Sequence, residues 1–406
     1  MNEAMQRARD TALRLLQPSG RDLQYGLDLH AESVVCDTYG FAPRAALDGQ
    51  ALSRAAEEGA SAAELAAMRE EMGMTRMATD PVERREFESA WKAAGVTCVF
   101  QNAGEEGQAV PRLMKRLARF TYTTDILRDL VSRAVWPEDV EAAKKAGRHC
   151  LYLSGNGVPL PQDWVSVEEE LGYIGLFYQL GIRMMHLTYN RRNMIGDGCA
   201  EPSNAGLSDF GRAVVAEMNR VGVLVDVAHC GWQTSLEAAQ LSERPMVASH
   251  SVCCALHSHV RGKPDPVIRA IVDSGGYIGI CCIPAFLGGR GDITALLDHV
   301  DHVARTFGAD HVTIGTDRAY SSTTPVVPTA TGGRSGRPRW EYFWPPNTFG
   351  AQWEKADMVE SLAWTNWPLF TVGLVQRGYS DEDIRRIIGG NMLRVLGAVR
   401  PQQSGD

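Results

Sequence analysis

Apolar positions through the middle of the chain alternate between two periods. In LSDFGRAVVAEMNRVG, Ser208 stands as an N-cap, Phe210, Val214, Val215 and Met218 fall at helical spacing, and Gly222 supplies the stop. The strand VLVDVAH follows at once. The same order recurs in WQTSLEAAQLSE and PMVASH, in PDPVIRAIVDSGG and YIGICCIPAF, and in ITALLDHVDHVARTF and VTIGTD. Helices that feed short, wholly apolar strands predict parallel βα units. Upstream, VVCDTYGF, GVTCVFQNA, HCLYLSGNG and GIRMMHLTYN read as buried strands ending in polar residues, which brings the number to eight. Eight such strands predict an α/β chain closed as a (β/α)8 TIM barrel.

Two stretches break the alternation. Residues 45–80, rich in Ala, Glu and Met, read as a helical insertion early in the barrel. Residues 318–356 hold Pro, Gly, Ser and Thr together with Trp340, Tyr342, Phe343, Trp344, Phe349 and Trp353. This long loop follows Asp317 and should rise from the carboxyl face of the strands, as a lid or a subunit contact. The chain thus divides into a helical segment over 1–29, one barrel over 30–400 and a tail over 401–406. SDEDIRRIIGGNMLRVLG reads as a capped helix broken at Gly389 and Gly390.

Composition narrows the partners. Apolar residues make up 44% and charged residues 22%, as in ordinary globular chains, and the net charge of −8 comes with no Lys/Arg block that would suit nucleic acid. The first twenty residues mix charges, and no later run approaches ~18 uninterrupted apolar residues, so a soluble cytoplasmic protein without a membrane span is expected. Nine cysteines, none in a CxxC pair, fit reduced thiols in a core better than a disulfide frame.

Three expected strands end in His229, His250 and Asp317. Strand ends of a barrel converge on one mouth, and two imidazoles with a carboxylate suit zinc, iron, manganese or nickel. His257 and His259 flank a serine beside Arg261, where they could orient it or touch a substrate. His299 and His302 sit three apart on a helix that should face away from the mouth.

The run from GLSDFGRAVV through VDVAHCGW and VASHSVCCALHSHVRGKPDP to GGYIG closely resembles the central segment of the renal, or membrane, dipeptidase family (peptidase family M19). QRGYSDEDIRRIIGGNMLRV resembles its C-terminal motif. The resemblance implies a zinc barrel of the amidohydrolase superfamily, usually dimeric, whose typical members hydrolyse dipeptides with two ions. Carried over by position, His229 and His250 would ligate one metal. Asp317 would contact the other and move protons, and Arg261, with His259 beside it, would hold the substrate carboxylate.

The departures are specific. Tyr39 and Phe41 occupy the place of a His-x-Asp ligand pair, Ser154 that of a bridging glutamate, Tyr189 that of a histidine and Ile283 that of a tyrosine. One divalent metal on His229, His250 and Asp317 is therefore expected, zinc first and iron second, with Tyr39 and Tyr189 as proton or hydrogen-bond donors. The reading is a dipeptidase-like, metal-dependent hydrolase for a small carboxylate-bearing amide or peptide-like molecule, as a homodimer. Two others stay open: non-hydrolytic chemistry, on mononuclear iron or without it, and a metal-free binding protein.

Overall fold

All eight expected strand segments form strands in the computed structural model, which describes residues 1–104, 109–323, 342–346 and 348–401. In chain order the strands are β1 (Cys36–Gly40), β2 (Cys98–Asn102), β3 (Val131–Ala134), β4 (His149–Gly155), β5 (Met184–His186), β6 (Leu224–Asp226), β7 (Ala248–Cys253), β8 (Gly262–Lys263), β9 (Ile278–Ile280) and β10 (Val312–Ile314). One path runs β1-β2-β4-β5-β6 and another β10-β9-β7-β8, with every registered pair parallel. Backbone bonds join the two paths at both seams. Val247 N–H donates to Val225 O (3.0 Å) and Val227 N–H to Val247 O (2.8 Å), while Asp317 N–H donates to Tyr39 O (2.9 Å) and Phe41 N–H to Arg318 O (3.1 Å).

β3 and β8 are additions to the expected eight. β3 pairs with β4 at its first residues, below the point where β5 takes over, and its half-exposed VSRA carries no apolar run to announce it. The barrel interior narrows under the mouth. Thr38 Oγ1 bonds Ser249 O (3.1 Å) and Thr313 Oγ1 (3.0 Å) across it. A Cβ at Gly279 or Gly315 would collide with that same Ser249 carbonyl, so β9 and β10 approach β7 only because both positions lack a side chain. The close approach fixes the strand that carries His250.

Six helices precede β3: α1 (Glu3–Leu16), α2 (Gly20–Glu32), α3 (Gly49–Glu57), α4 (Ala62–Thr75), α5 (Pro81–Ala94) and α6 (Val110–Ile126). The insertion expected over 45–80 is α3 and α4, the latter opened by a capping box between Ser61 and Glu64. α1 and α2 are strapped to the far end of the chain. Asn366 Nδ2 donates to Ala8 O (2.9 Å), Thr11 Oγ1 to Glu360 (2.8 Å) and Tyr25 OH to Asp381 (2.8 Å), and buried His30 Nδ1 lies 2.8 Å from Thr371 Oγ1.

The C-terminal helix is not broken at Gly389 and Gly390. A π-helical turn over Arg386–Gly390 carries it through, and Gly389 lies against Val34 O, where a Cβ would not fit. Of the aromatic loop, residues 324–341 and 347 lie outside the described residues, as do 402–406 of the tail. All nine cysteines are free thiols, and no helix among the described residues is long and apolar enough to cross a membrane.

α5 offers a local test of these capping arguments. Asp80 accepts from Val82 N–H (2.8 Å) and Glu83 N–H (3.4 Å), and Pro81 holds the first helical position. Asp80→Ala should cost about 1 kcal/mol, its partly exposed pair with Arg76 adding little. A urea titration checks this: the midpoint should fall with the slope unchanged.

Candidate active site

β5 ends on His186, β6 leads to His229 three residues past Asp226, and β7 carries His250. All three imidazoles are buried, and one ligand atom from each lies within 4.8 Å of the others. His229 Nε2 and His250 Nε2 stand 2.9 Å apart.

Neighbours fix the rings. His229 Nδ1 donates to Asn190 Oδ1 (2.7 Å), which leaves Nε2 of His229 as the unprotonated nitrogen facing the cluster. His250 Nδ1 lies 2.8 Å from Ser249 Oγ, a hydroxyl that can donate or accept and so permits either tautomer. Tyr39 stacks on His250 (3.8 Å between centroids, 9°), and Tyr189 stacks on His229 (4.2 Å). Asn190 and Asp317, at the ends of strand segments β5 and β10, hold left-handed backbone with φ of 52° and 53°, tolerated by Asn and Asp at some cost.

Burial, then the adjacent Arg261 cation, pushes the His229 and His250 imidazoles well below their ordinary value, so both are neutral. His186 Nε2 lies 2.6 Å from Asp226 Oδ2, yet neither His186 ring nitrogen has an aligned hydrogen bond among the described residues, nor does Asp226 Oδ2. Burial works to raise the Asp226 pKa, but His186 and hydrogen bonds from Ser249 hold its carboxyl below the ordinary range. Two neutral imidazoles with orienting outer partners, and a third ring without aligned partners, make a donor set that fits one borderline divalent ion.

Asp317 lines the same cavity as His229 but stands outside that cluster. His186 was not singled out by the sequence reading. It lies in GIRMMHLTYN, and placing the strand end at His186 rather than Tyr189 would have exposed it. Arg261 is fully buried behind the histidines. Its guanidinium donates to Ala228 O and, at 2.9 Å, to His250 O, with one Nη 3.3 Å from His229 Nε2, and it does not line the cavity. His259 Nδ1 accepts from Arg261 N–H (3.1 Å), and its ring packs on Phe286 (4.8 Å), so it shapes the Arg261 backbone rather than the cavity wall. Ser154 is buried and bonds Gln101 O (3.3 Å); Cys281 and Cys282 are buried outside the cluster. His299 is buried and accepts from Cys253 N–H (3.0 Å), a packing role.

A cavity of about 960 Å³ lies against His229 of this cluster. Tyr39, Tyr189 and Asp317 also border it, as do Trp344 and Phe349 of the aromatic loop and Arg44, Arg69 and Arg116.

A closed parallel barrel with buried imidazoles at the carboxyl ends of adjacent strands has the architecture of the amidohydrolase-type metallohydrolases. Solved structures agree on the fold. An amidohydrolase from Pseudomonas aeruginosa superposes with a TM-score of 0.66 at 23% identity, covering 92% of this chain and 98% of that one. The probable dipeptidase PvdM from the same organism gives 0.65 at 18%, covering 93% and 98%. Residues 28–328 match the profile of Membrane dipeptidase (Peptidase family M19), and the chain belongs to that family. Among curated relatives, Dipeptidase verJ of Clonostachys rogersoniana is 31% identical over 231 residues, 56% of this chain and 51% of its own length. Dipeptidase aclJ of Aspergillus oryzae is 30% identical over 230 residues, 55% and 47%. The match therefore spans about half the length of these relatives.

Proposed function

We propose that the chain is a metal-dependent hydrolase of a small, peptide-like amide bearing a carboxylate, working with one ion rather than two. The convergence of three buried imidazoles within 4.8 Å, at the edge of a substrate-sized cavity, carries this reading. His229 and His250 would hold the ion, with His186 as the third donor, where the sequence offered Asp317. A divalent ion there would polarise the scissile carbonyl and lower the pKa of a water molecule. Asp317, bordering the same cavity, takes the proton from the attacking water and returns it to the leaving amine nitrogen. Tyr39 and Tyr189 hold the His250 and His229 rings by stacking, and both border the cavity, where their hydroxyls would donate to the substrate oxygen. Family membership and the names of the relatives support the peptide-like substrate.

The test is a dipeptide panel run with and without a chelator, with elemental analysis of protein purified without added metal. Chelator-sensitive turnover and about one equivalent of zinc or iron are expected; turnover indifferent to chelation, or two equivalents, would sink the reading. Asn190→Gly should weaken metal retention about 10- to 100-fold, since it removes the acceptor that orients His229 while accommodating the positive φ. Competition with a fluorescent chelator measures it.

A further inference from the structure

Two side chains that line the cavity are left short of a hydrogen bond. Asn102 and Asn156 are only 7% and 3% exposed, both border the cavity, and Oδ1 of each has no hydrogen-bond partner among the described residues. A sealed amide oxygen without a donor is costly to a fold, and each such atom calls for an explanation. Gln101, in the same wall, shows the ordinary case. Its Oε1 accepts from Ala42 N–H (2.6 Å) and its Nε2 donates to Asn102 O (2.9 Å).

Strand alternation sets the two asparagines on one face. Cys98 and Phe100 of β2 pack in one cluster with Cys150 and Tyr152 of β4 and Met184 of β5, and Asn102 and Asn156 continue those alternations at the carboxyl ends. β2 and β4 are neighbours, with Asn102 in register with Ser154 and Ala103 N–H donating to Ser154 O (2.8 Å). Gly104 lies so close to Asn156 that a Cβ there would stand 2.4 Å from its backbone nitrogen, which pins the two strand ends together. Site residues flank the pair on both sides. Gly40, which follows Tyr39, is in register with Gln101; Gly155 is in register with Met185, and the next residues on those two strands are Asn156 and His186. The amides therefore occupy the stretch of barrel wall between Tyr39 and His186.

We propose that Asn102 and Asn156 bind a carboxamide side chain of the substrate. A primary carboxamide brings one carbonyl and one NH2, the complement of an asparagine amide, whose own oxygen and nitrogen exchange places by a half-turn of its last bond. An ion would meet no counter-charge in this uncharged pair, and a hydrocarbon chain would leave both amides unpaired. The assignment deepens the hydrolase reading and rests on it for the position of the scissile bond.

The experiment uses near-isosteric pairs on the full-length protein, Gln-Ala with Met-Ala and Ala-Gln with Ala-Met. Turnover is read as kcat/KM, and binding is read separately by calorimetry with the ketomethylene analogues, which contain no backbone amide to cleave. The wild type should favour the glutamine member of one pair by at least about tenfold, and that pair identifies which residue of the substrate carries the group. Asn102→Leu and Asn156→Leu should each erase most of the preference while leaving affinity for the methionine member near wild type. A second measurement needs no ligand. Because leucine of similar shape removes an unpaired amide, the urea midpoint of each variant should hold or rise. Equal binding of the glutamine and methionine members by the wild type, a preference that survives in both variants, or a lowered midpoint in either one overturns the proposal even if peptides are hydrolysed. A preference seen in binding without any hydrolysis supports the subsite and counts only against the hydrolase reading.

Discussion

Protein in which His229 and His250 are both replaced by alanine is expected to leave purification without bound metal, against about one equivalent in the wild type. The imidazoles of His229 and His250 are neutral and held by stacked tyrosine rings, and removing both leaves His186, with the Asp226 carboxylate beside it, as a single donor of the cluster. Single substitutions then identify the third donor. His186→Ala should lose metal, whereas Asp317→Asn should keep it while turnover falls by about 10²–10⁴ for want of a proton carrier. Elemental analysis, with circular dichroism as the folding control, decides. Full metal content in the double variant would remove the histidine cluster from the account altogether.

The second large effect concerns Asp37 at the base of the same strand end. It accepts from Thr316 N–H (2.9 Å), Thr316 Oγ1 (2.6 Å) and Trp364 Nε1 (3.1 Å), all buried. Burial outweighs those donors and pushes its pKa from 3.8 up to about 7. The sign follows from linkage. A carboxyl whose folded pKa is raised stabilises the fold fully below the unfolded value and loses that contribution as pH climbs to the folded one. Between about pH 4 and 7 the protein should lose stability on the order of 4 kcal/mol from this group. Asp37→Asn, which cannot ionise, should flatten that part of the profile. Denaturant unfolding of both proteins across this range gives the difference curve, and parallel curves would show that Asp37 does not titrate there.

Much of the barrel was legible because each strand is a short apolar run closed by polar residues, usually with a helix before it. β3 was not, since VSRA is half exposed and holds its place only through β4. His229 and His250 could be found because a histidine after an apolar run stands out. His186 ends an equally apolar run, but Tyr189 three residues on drew the strand end past it. The place of Arg261 shows a different limit: sequence position locates a residue along a loop, and depth behind two imidazoles is a property of packing. Arg44 and Arg69 meet at one cavity from a loop and an inserted helix, which no spacing along the chain records. The place that the resemblance gives to a His-x-Asp pair is held by Tyr39 and Phe41. Its phenol lies flat against His250, and its phenyl ring carries Arg44.

The straps between the first two helices and the last fifty residues bear on how the chain is made. On the ribosome, α1 and α2 emerge before β1, but Asn366, Glu360, Thr371 and Asp381, the residues they bond, follow 341 to 358 residues behind their partners. The seam between β1 and β10 is likewise closed by the two ends of the barrel. Until β10 emerges, then, β1 and the strands that pair behind it wait with an unpaired edge. Contacts of such long sequence separation fold slowly and leave aggregation-prone edges exposed meanwhile. Yield of soluble protein should consequently depend on elongation rate and chaperone supply more than on the stability of the finished barrel.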